Sequence, residues 1–368
     1  MQKKIIALAV AALASTAAFA QTNVTVYGIA DASLSATTTL GAATAPTATS
    51  NYATLGPTQT GFKVNSGTLS TSRIGFKGVE DLGNGLKALF VLEYGLAIDA
   101  SAPVGTSSTS SAVARQQFVG LTGGFGTAVA GHLQTTGLDF TVGGSALGGS
   151  TALGVTNVLE TTGNTGLMTS AATHLISAQW GGRHSNAVAY ISPSFGGVTV
   201  AYNHARVTET AGTTGNTDAH GDLLSVNFAN GPITAGAIYT RVTLAGANNN
   251  IKEWGLRGGY DFGVAKLQAT YQQAKSEALT TGKDSKYVVS VTVPVGAKVA
   301  VIGEFGGAIV KSDTVAGVNP ENNVRAGTVA ATYALSKRTT AYAGMVAKRS
   351  QVVNSDTNTY AIGLRHSF

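Results

Sequence analysis

From Thr359 to Phe368 apolar and polar positions alternate without a break. Tyr360, Ile362, Leu364, His366 and Phe368 fall on one side, and Ala361, Gly363, Arg365 and Ser367 on the other. Side chains of a strand point alternately to opposite faces, so this period predicts a strand with one greasy face and one polar face. The same period returns upstream. Trp254, Leu256, Tyr260 and Phe262 oppose Glu253, Arg257 and Asp261; Leu86, Phe90, Leu92, Tyr94 and Ile98 oppose Lys87, Glu93 and Gly95; Tyr287, Val289, Val291 and Val293 oppose Ser290 and Thr292. Segments of about 10 residues with this dyad pattern, separated by turn residues, are the signature of a closed barrel between lipid and water.

The connections come in two sizes that alternate along the chain. Short ones fall at Asp81 to Gly85, Gly123 to Gly126, Pro193 to Gly197, Asn230 to Pro232 and Ser336 to Thr339. Longer polar ones fall at Leu40 to Thr60, Ala100 to Ser111, Glu209 to Gly221, Glu277 to Lys286, Ser312 to Asn323 and Gln351 to Asp356. Short turns at one rim and long loops at the other fit an outer-membrane barrel. About 22 residues per strand and connection give about sixteen strands, with eighteen as the alternative. One connection is out of scale: nearly fifty residues rich in Gly, Thr, Ala and Ser separate a strand at Thr127 to Leu133 from one at Arg183 to Ser192. It is the third long connection, and a loop of that length is either functional or disordered. In a water-filled barrel it has room to fold inward.

The amino terminus carries a different signal. Lys3 and Lys4 precede an apolar run from Ile5 to Ala18, followed by Ala18, Phe19 and Ala20 as a small-x-small cleavage site. Residues 1–20 therefore read as a secretory signal peptide, too short to span a bilayer as a helix, with 21–368 as the mature barrel domain. No later stretch reaches the apolar length of a spanning helix, so a mature chain in a membrane must close as a barrel to satisfy its backbone. Only 11% of residues are charged, 47 are glycine, and cysteine is absent, so export needs no disulfide framework. Without Lys3 and Lys4 the chain holds 22 basic against 18 acidic side chains, and no basic run with interleaved aromatics points to nucleic acid.

At this level of detail the chain resembles the general diffusion porins of Gram-negative outer membranes, the sixteen-stranded trimeric family, in its betaproteobacterial branch. The resemblance is carried by Val26 to Asp31, by Ser72 to Ala88 across two strands and their turn, and by Arg115 to Leu121, Phe125 with Gly126, Ser192 to Gly197, Phe262 to Lys266 and Leu335 to Thr339. The terminal strand ending on Phe368, with Tyr360, Ile362 and Leu364, resembles the signal read by the barrel-assembly machinery. The resemblance implies an outer-membrane location, a homotrimer, contact with outer-membrane lipid and lipopolysaccharide, and a third loop folded into the lumen. It sets Arg73, Arg115 and Arg183 on a basic wall of the constriction and Asp139 on the opposing loop. The family's Pro-Glu-Phe-Gly-Gly loop tip is missing here, which leaves Glu160 as the candidate for the loop's main acid; between Leu133 and Gly182 the sole carboxylates are Asp139 and Glu160. Lys87, Glu93 and Arg365 are expected to face the lumen water, and Gln116, Phe118 and Gly120 to face outward, in a subunit interface.

Other classes find less support. The six histidines, His132, His174, His184, His204, His220 and His366, show no metal-ligand spacing, and neither a Gly-x-Ser-x-Gly elbow nor a phosphate loop occurs. Asp218 with His220 would be the seed of an enzyme site, and Thr-, Ala- and Gly-rich loops would be the surface of an adhesin. A substrate-specific channel would line its passage with aromatics or a charge ladder. The expectation is a passive channel for small hydrophilic solutes and ions, without cofactor or metal and without chemistry. Three arginines against two carboxylates in a narrow passage imply weak to moderate anion preference.

Overall fold

The computed structural model describes residues 24–41, 59–107, 110–111, 114–160, 174–178, 182–208, 219–244, 250–277, 283–311, 322–351 and 355–368. The expected signal peptide at residues 1–20, Asp218 and the middles of several long loops lie outside the described residues. The strands are β1 (Thr25–Gly41), β2 (Gln59–Ser66), β3 (Arg73–Gly83), β4 (Leu86–Gly95), the two-residue pair β5 (Thr106–Ser107) and β6 (Ser110–Ser111), β7 (Ala114–Gly123), β8 (Gly126–Gln134), β9 (Arg183–Ile191) and β10 (Val198–Thr208). They continue with β11 (Ala219–Asn230), β12 (Ile233–Leu244), β13 (Ile251–Asp261), β14 (Lys266–Ser276), β15 (Asp284–Val295), β16 (Val299–Val310), β17 (Asn322–Ala334), β18 (Thr339–Ser350) and β19 (Ser355–Ser367). Apart from β5 and β6, every strand pairs antiparallel with its neighbours in one sheet, and β1 pairs with β19 from Ile29↔Ser367 to Gly41↔Ser355. The sheet is closed, which removes both edges.

Its barrel has sixteen positions, because β2 and β3 occupy one of them in succession. The upper half of β1 pairs with β2 and the lower half with β3. Between the two, residues 67–72 tuck inward. Gly67, at φ +77°, opens the bend, and the Asp31 carboxylate holds it by accepting from the amides of Leu69 at 2.8 Å and Ser70 at 2.5 Å and from the Tyr342 hydroxyl at 2.5 Å. Asp31 is fully buried, so these donors replace the water that a carboxylate would otherwise keep.

Local sequence sets the short rim. The hairpin between β3 and β4 turns on Asn84 and Gly85, both at positive φ, the conformation that a two-residue hairpin requires and that Asn-Gly adopts at least cost. Where the sheet closes, Gly28 and Phe368 exchange backbone hydrogen bonds of 3.0 and 3.1 Å, and the Phe368 ring lies where a Cβ on Gly28 would stand. Outward positions are apolar and exposed, as lipid contact demands; Tyr360, Ile362, Leu364 and Phe368 all lie on that face.

Where it is described, at residues 135–160 and 174–178, the third loop runs along the inside of the wall. It opens with α1 (Thr136–Gly143), capped by Thr135 Oγ1 accepting from the Leu138 amide, and later forms α2 (Val155–Leu159). Leu147, Leu153, Val155, Val158 and Leu159 are buried against Val288, Ile302, Val324, Ala326, Ala330 and Val346 of β15 to β18 and against Leu69 of the bend. These wall residues occupy the face opposite the exposed Val289, Val301, Phe305, Val329 and Met345, so the loop lies in the lumen. Apolar residues inside a water-filled barrel are thus accounted for: they are the bed on which the loop rests.

Candidate functional site

Three sets of polar contacts hold the loop, and all use inward side chains of the far wall. In the first, the Thr136 amide donates to Asn203 Oδ1 at 2.8 Å, and Arg257 donates from Nη1 to the carbonyls of Asp139 and Phe140 at 2.7 and 2.8 Å, occupying the carboxyl-terminal half of α1. In the second, Glu304 accepts from the amides of Leu147 and Val155 at 2.6 and 2.9 Å and from Ser145 Oγ at 2.5 Å. Thr328 donates to the Leu153 carbonyl at 2.7 Å, and Ser150 Oγ and Thr151 Oγ1 donate to the carbonyls of Thr68 and Gly67.

The third set is a buried charge cluster. Glu160, 1% exposed, pairs with Lys286 Nζ and accepts from Ser177 Oγ at 2.7 Å and the Ala178 amide at 2.9 Å. His174 Nδ1 bonds to Glu253, which also accepts from the amides of Leu175 at 2.8 Å and Ile176 at 3.1 Å. Burial alone would push the Glu160 carboxyl up, but Lys286 and His174 outweigh it and bring it down to about 2. Burial likewise opposes charge on His174, but Glu253 and Glu160 outweigh that and lift the imidazole to about 9. At neutral pH two carboxylates therefore face an ammonium and an imidazolium, and the cluster closes without net charge.

The other side of the lumen carries the arginines. Arg115 Nε donates to Glu93 Oε1 at 2.8 Å, Arg73 Nε lies 3.8 Å from Glu93 Oε2, and the Tyr27 hydroxyl donates to that same oxygen at 3.1 Å. Arg183 Nη2 donates to Gln134 Oε1 at 3.2 Å, and Gln134 Nε2 donates to Asp139 Oδ1 at 2.6 Å. Arg73, Arg115 and Arg183 feel one another's charge and that of Glu93. They stand on β3, β7 and β9, whereas the loop's bonds, apart from the one between Gln134 at the end of β8 and Asp139, go to β10 through β17 and to the bend after β2. Burial pushes the Asp139 carboxyl up to about 6, against the hydrogen bond from Gln134 and the charges of Arg257 and Arg183.

The structure thus gathers Arg73, Arg115, Glu93, Arg183 and Asp139 along one side of the passage, while Glu160 is bound on the far side by Lys286. Lys87 sits on the inward face of β4, and Arg365 Nη1 donates to Ser70 Oγ at 3.3 Å. Arg115 shares parity with the exposed Val119 and Leu121, yet it points inward. A bulge opposite Glu93 and Tyr94 sets both Arg115 and Gln116 on the buried face, at 7% and 4% exposure. The expectation that Gln116, Phe118 and Gly120 face outward is corrected by the exposed Val119 and Leu121, which alternate with them and hold the lipid face, leaving these three toward the lumen; Gln116 and Phe118 line a small cavity with Asp139 and Asn203. Sequence reading missed the anchoring roles of Asp31, Arg257, Glu304 and Lys286. Alternation marked Arg257 and Glu253 as inward, but their partners are backbone groups of a distant loop, which no local pattern announces.

On the long-loop side a cavity of about 390 Å³ opens between the loop and β1, β2, β18 and β19, lined by Lys63, Asp99, Thr151 and Lys348 among others. A closed antiparallel barrel with an apolar outer face, a polar lumen and an inward loop is a transmembrane diffusion channel. The chain belongs to the Gram-negative porin family, whose model matches residues 7–367. It is 31% identical over 308 residues to outer membrane porin protein 32 of Delftia acidovorans, covering 80% of this chain and 77% of that one. Its fold is similar to the anion-selective porin from Comamonas acidovorans, with a TM-score of 0.71 at 22% identity over 95% of this chain and 100% of that one. It is also similar to OmpT of Vibrio cholerae in its trimer form, with a TM-score of 0.63 at 14% identity over 94% and 99% of the two chains. The protein is accordingly a passive channel of the outer membrane.

Proposed function

We propose that this channel passes small hydrophilic solutes with a preference for anions, set where the third loop faces Arg73, Arg115 and Arg183. The observation that carries the reading is the fate of the carboxylates. Asp31, Glu253 and Glu304 are turned to backbone amides of the bend and loop, and Glu160 is neutralised by Lys286. Glu93 and Asp139 remain on the arginine side, against three guanidinium groups. Fixed charge in a narrow passage with low-dielectric walls concentrates counter-ions, and here the excess is positive. The similarity to a porin that is itself anion-selective supports the same sign.

The family and the fold point to a channel rather than an enzyme, and passage through the lumen needs no catalysis. Removal of residues 1–20, insertion through the terminal strand by the barrel-assembly machinery and assembly into a homotrimer complete the reading; the trimer form of the similar OmpT structure supports the last. The test is charge reversal at the arginine side. Arg73→Glu should shift the permeability ratio toward cations without changing the folded yield, and Arg183→Glu should do the same. Permeability ratios unmoved by both substitutions would place the selective point elsewhere.

A further inference from the structure

We propose that the cavity between the third loop and strands β18, β19, β1 and β2 is a binding subsite for a sugar acid, a polyhydroxylated ligand with one carboxylate. Its volume of about 390 Å³ falls within the roughly 300–1,000 Å³ of small-molecule sites. Thr151, Ala152 and Val158 of the loop line one side and the four strands the other, and none of Arg73, Arg115 and Arg183 lines it. The subsite therefore stands apart from the arginine side and does not depend on the selectivity set there. Cross-strand register fixes the layout of its wall. Thr359 pairs with Val346 on one side and with Thr37 on the other; one inward row toward the long loops Lys348 pairs with Thr357, and one inward row toward the short turns Lys63 pairs with Ser35. Ser33, Ser35 and Val346 are buried while Leu34, Val64 and Met345 between them are exposed, so these rows hold the lumen face. The two ammonium groups stand at opposite corners of the patch, three strand spacings of about 4.8 Å apart, with threonine hydroxyls between them.

The chemistry of the lining selects the ligand. About half of the lining residues are serine or threonine. Their hydroxyls are braced: Thr37 Oγ1 and Thr359 Oγ1 lie 3.1 Å apart, Thr151 Oγ1 donates to the Gly67 carbonyl at 2.7 Å, and Ser66 Oγ donates to the Leu96 carbonyl at 3.1 Å. A hydroxyl that donates to the wall keeps its lone pairs for the hydroxyls of a ligand. Lys63, Lys348 and Asp99 give the cavity two positive charges and one negative, which suits a monoanion better than a dianion. A lysine takes the carboxylate in a charge-assisted bond, and Asp99 accepts from a hydroxyl at the other end. The buried Val158 and Val346 offer an apolar floor to the C–H face of a sugar. Among the described residues no aromatic side chain lines the cavity, so a flat ring such as a nucleobase has no stacking platform there.

Single-channel recording in potassium chloride, with sodium glucuronate added to both sides of the bilayer, tests this. Glucuronate should interrupt the current transiently. Glucose, which lacks the charge, and acetate, which lacks the hydroxyls, should need concentrations at least about tenfold higher for the same block. Lys63→Gln/Lys348→Gln should raise the half-blocking concentration of glucuronate at least about tenfold, and Thr357→Val/Thr359→Val, which leaves every charge in place, at least about threefold. Steady open-channel conductance before glucuronate is added shows that each variant has formed its barrel. The reversal potential in potassium chloride alone reads the arginine side separately, so a failure there is told apart from a failure here. No interruption in conducting channels, equal block by acetate or glucose, or a half-blocking concentration unmoved in either variant would each overturn the proposal. So would a block that both variants keep and Arg73→Gln loses, because the sugar acid would then bind at the arginines.

Discussion

Asp139 is the titratable group to which the passage should respond near neutral pH. Its carboxyl is raised to about 6, so it is charged at pH 7.5 and largely neutral at pH 5. Losing a negative charge beside Arg183 and Arg257 makes the passage more positive. Anion preference should therefore rise as pH falls through about 6, and Asp139→Asn should show the acidic-side value at every pH; reversal potentials at a series of pH values check both. Its stability effect has the matching sign: a carboxyl raised above 3.8 favours the fold when protonated, and that gain is lost as pH rises through about 6. That Asp139, Arg73 and Arg183 lie toward the lumen was the expectation drawn from their resemblance to the porin pattern. The direction of Arg115 was not legible in the alternation, because a bulge adds one residue without changing composition and inverts the parity of everything before it. Arg115→Gln should leave Glu93 with the weaker 3.8 Å contact to Arg73 and shift the permeability ratio toward cations in single-channel records.

The third loop behaves as an element whose place is fixed by its partners on the wall rather than by its own sequence. Its helices are short, and α2, with five residues, could not persist in water alone. Lys286→Met would leave Glu160 buried without its ammonium, a loss of about 3–5 kcal/mol for a broken buried pair. The expected outcome is a loop released into the lumen, with noisier and altered conductance and faster proteolysis between Thr135 and Gly182. Adding Glu160→Gln should recover part of the protection. The pH window of this latch follows from two opposite shifts. Glu160 is depressed from 4.5 to about 2, so its contribution is present above 4.5 and lost as pH falls toward 2; His174 is raised from 6.5 to about 9, so its contribution is present below 6.5 and lost as pH rises through 9. Loop protection should peak between, and limited proteolysis across pH reads it. Length alone left this loop as either functional or disordered; where it rests depended on amides meeting Glu253 across more than seventy residues of chain and Glu304 across more than a hundred, beyond any local period.

For the molecule as a whole, alternation and turn spacing were enough to read a barrel, both rims and about sixteen strands. Sixteen and eighteen were left open by the mean spacing alone; the structure has sixteen positions, with two strands between Gln59 and Gly83 in the space of one because Asp31 folds the chain inward at residues 67–72. Asp31 lies in a segment that carries the family resemblance, yet an aspartate between apolar neighbours gives no hint of the bend it holds. Closure depends on the contact between Gly28 and Phe368. Gly28→Leu would drive a Cβ to 2.3 Å from the Phe368 ring and 2.5 Å from the Arg73 carbonyl, so the folded fraction, read by heat-modifiable gel mobility, should fall sharply.

Across the molecule, the loop lies on the far wall, absorbs the carboxylates there and leaves the arginines on the side of the passage. The reversal potential of the purified, unaltered protein in a planar bilayer under a tenfold salt gradient tests this arrangement most directly. A potential of the sign given by faster anion passage, from channels closing in three equal steps, is the expected result. A potential of the opposite sign, or none at all from folded protein that conducts, would contradict it.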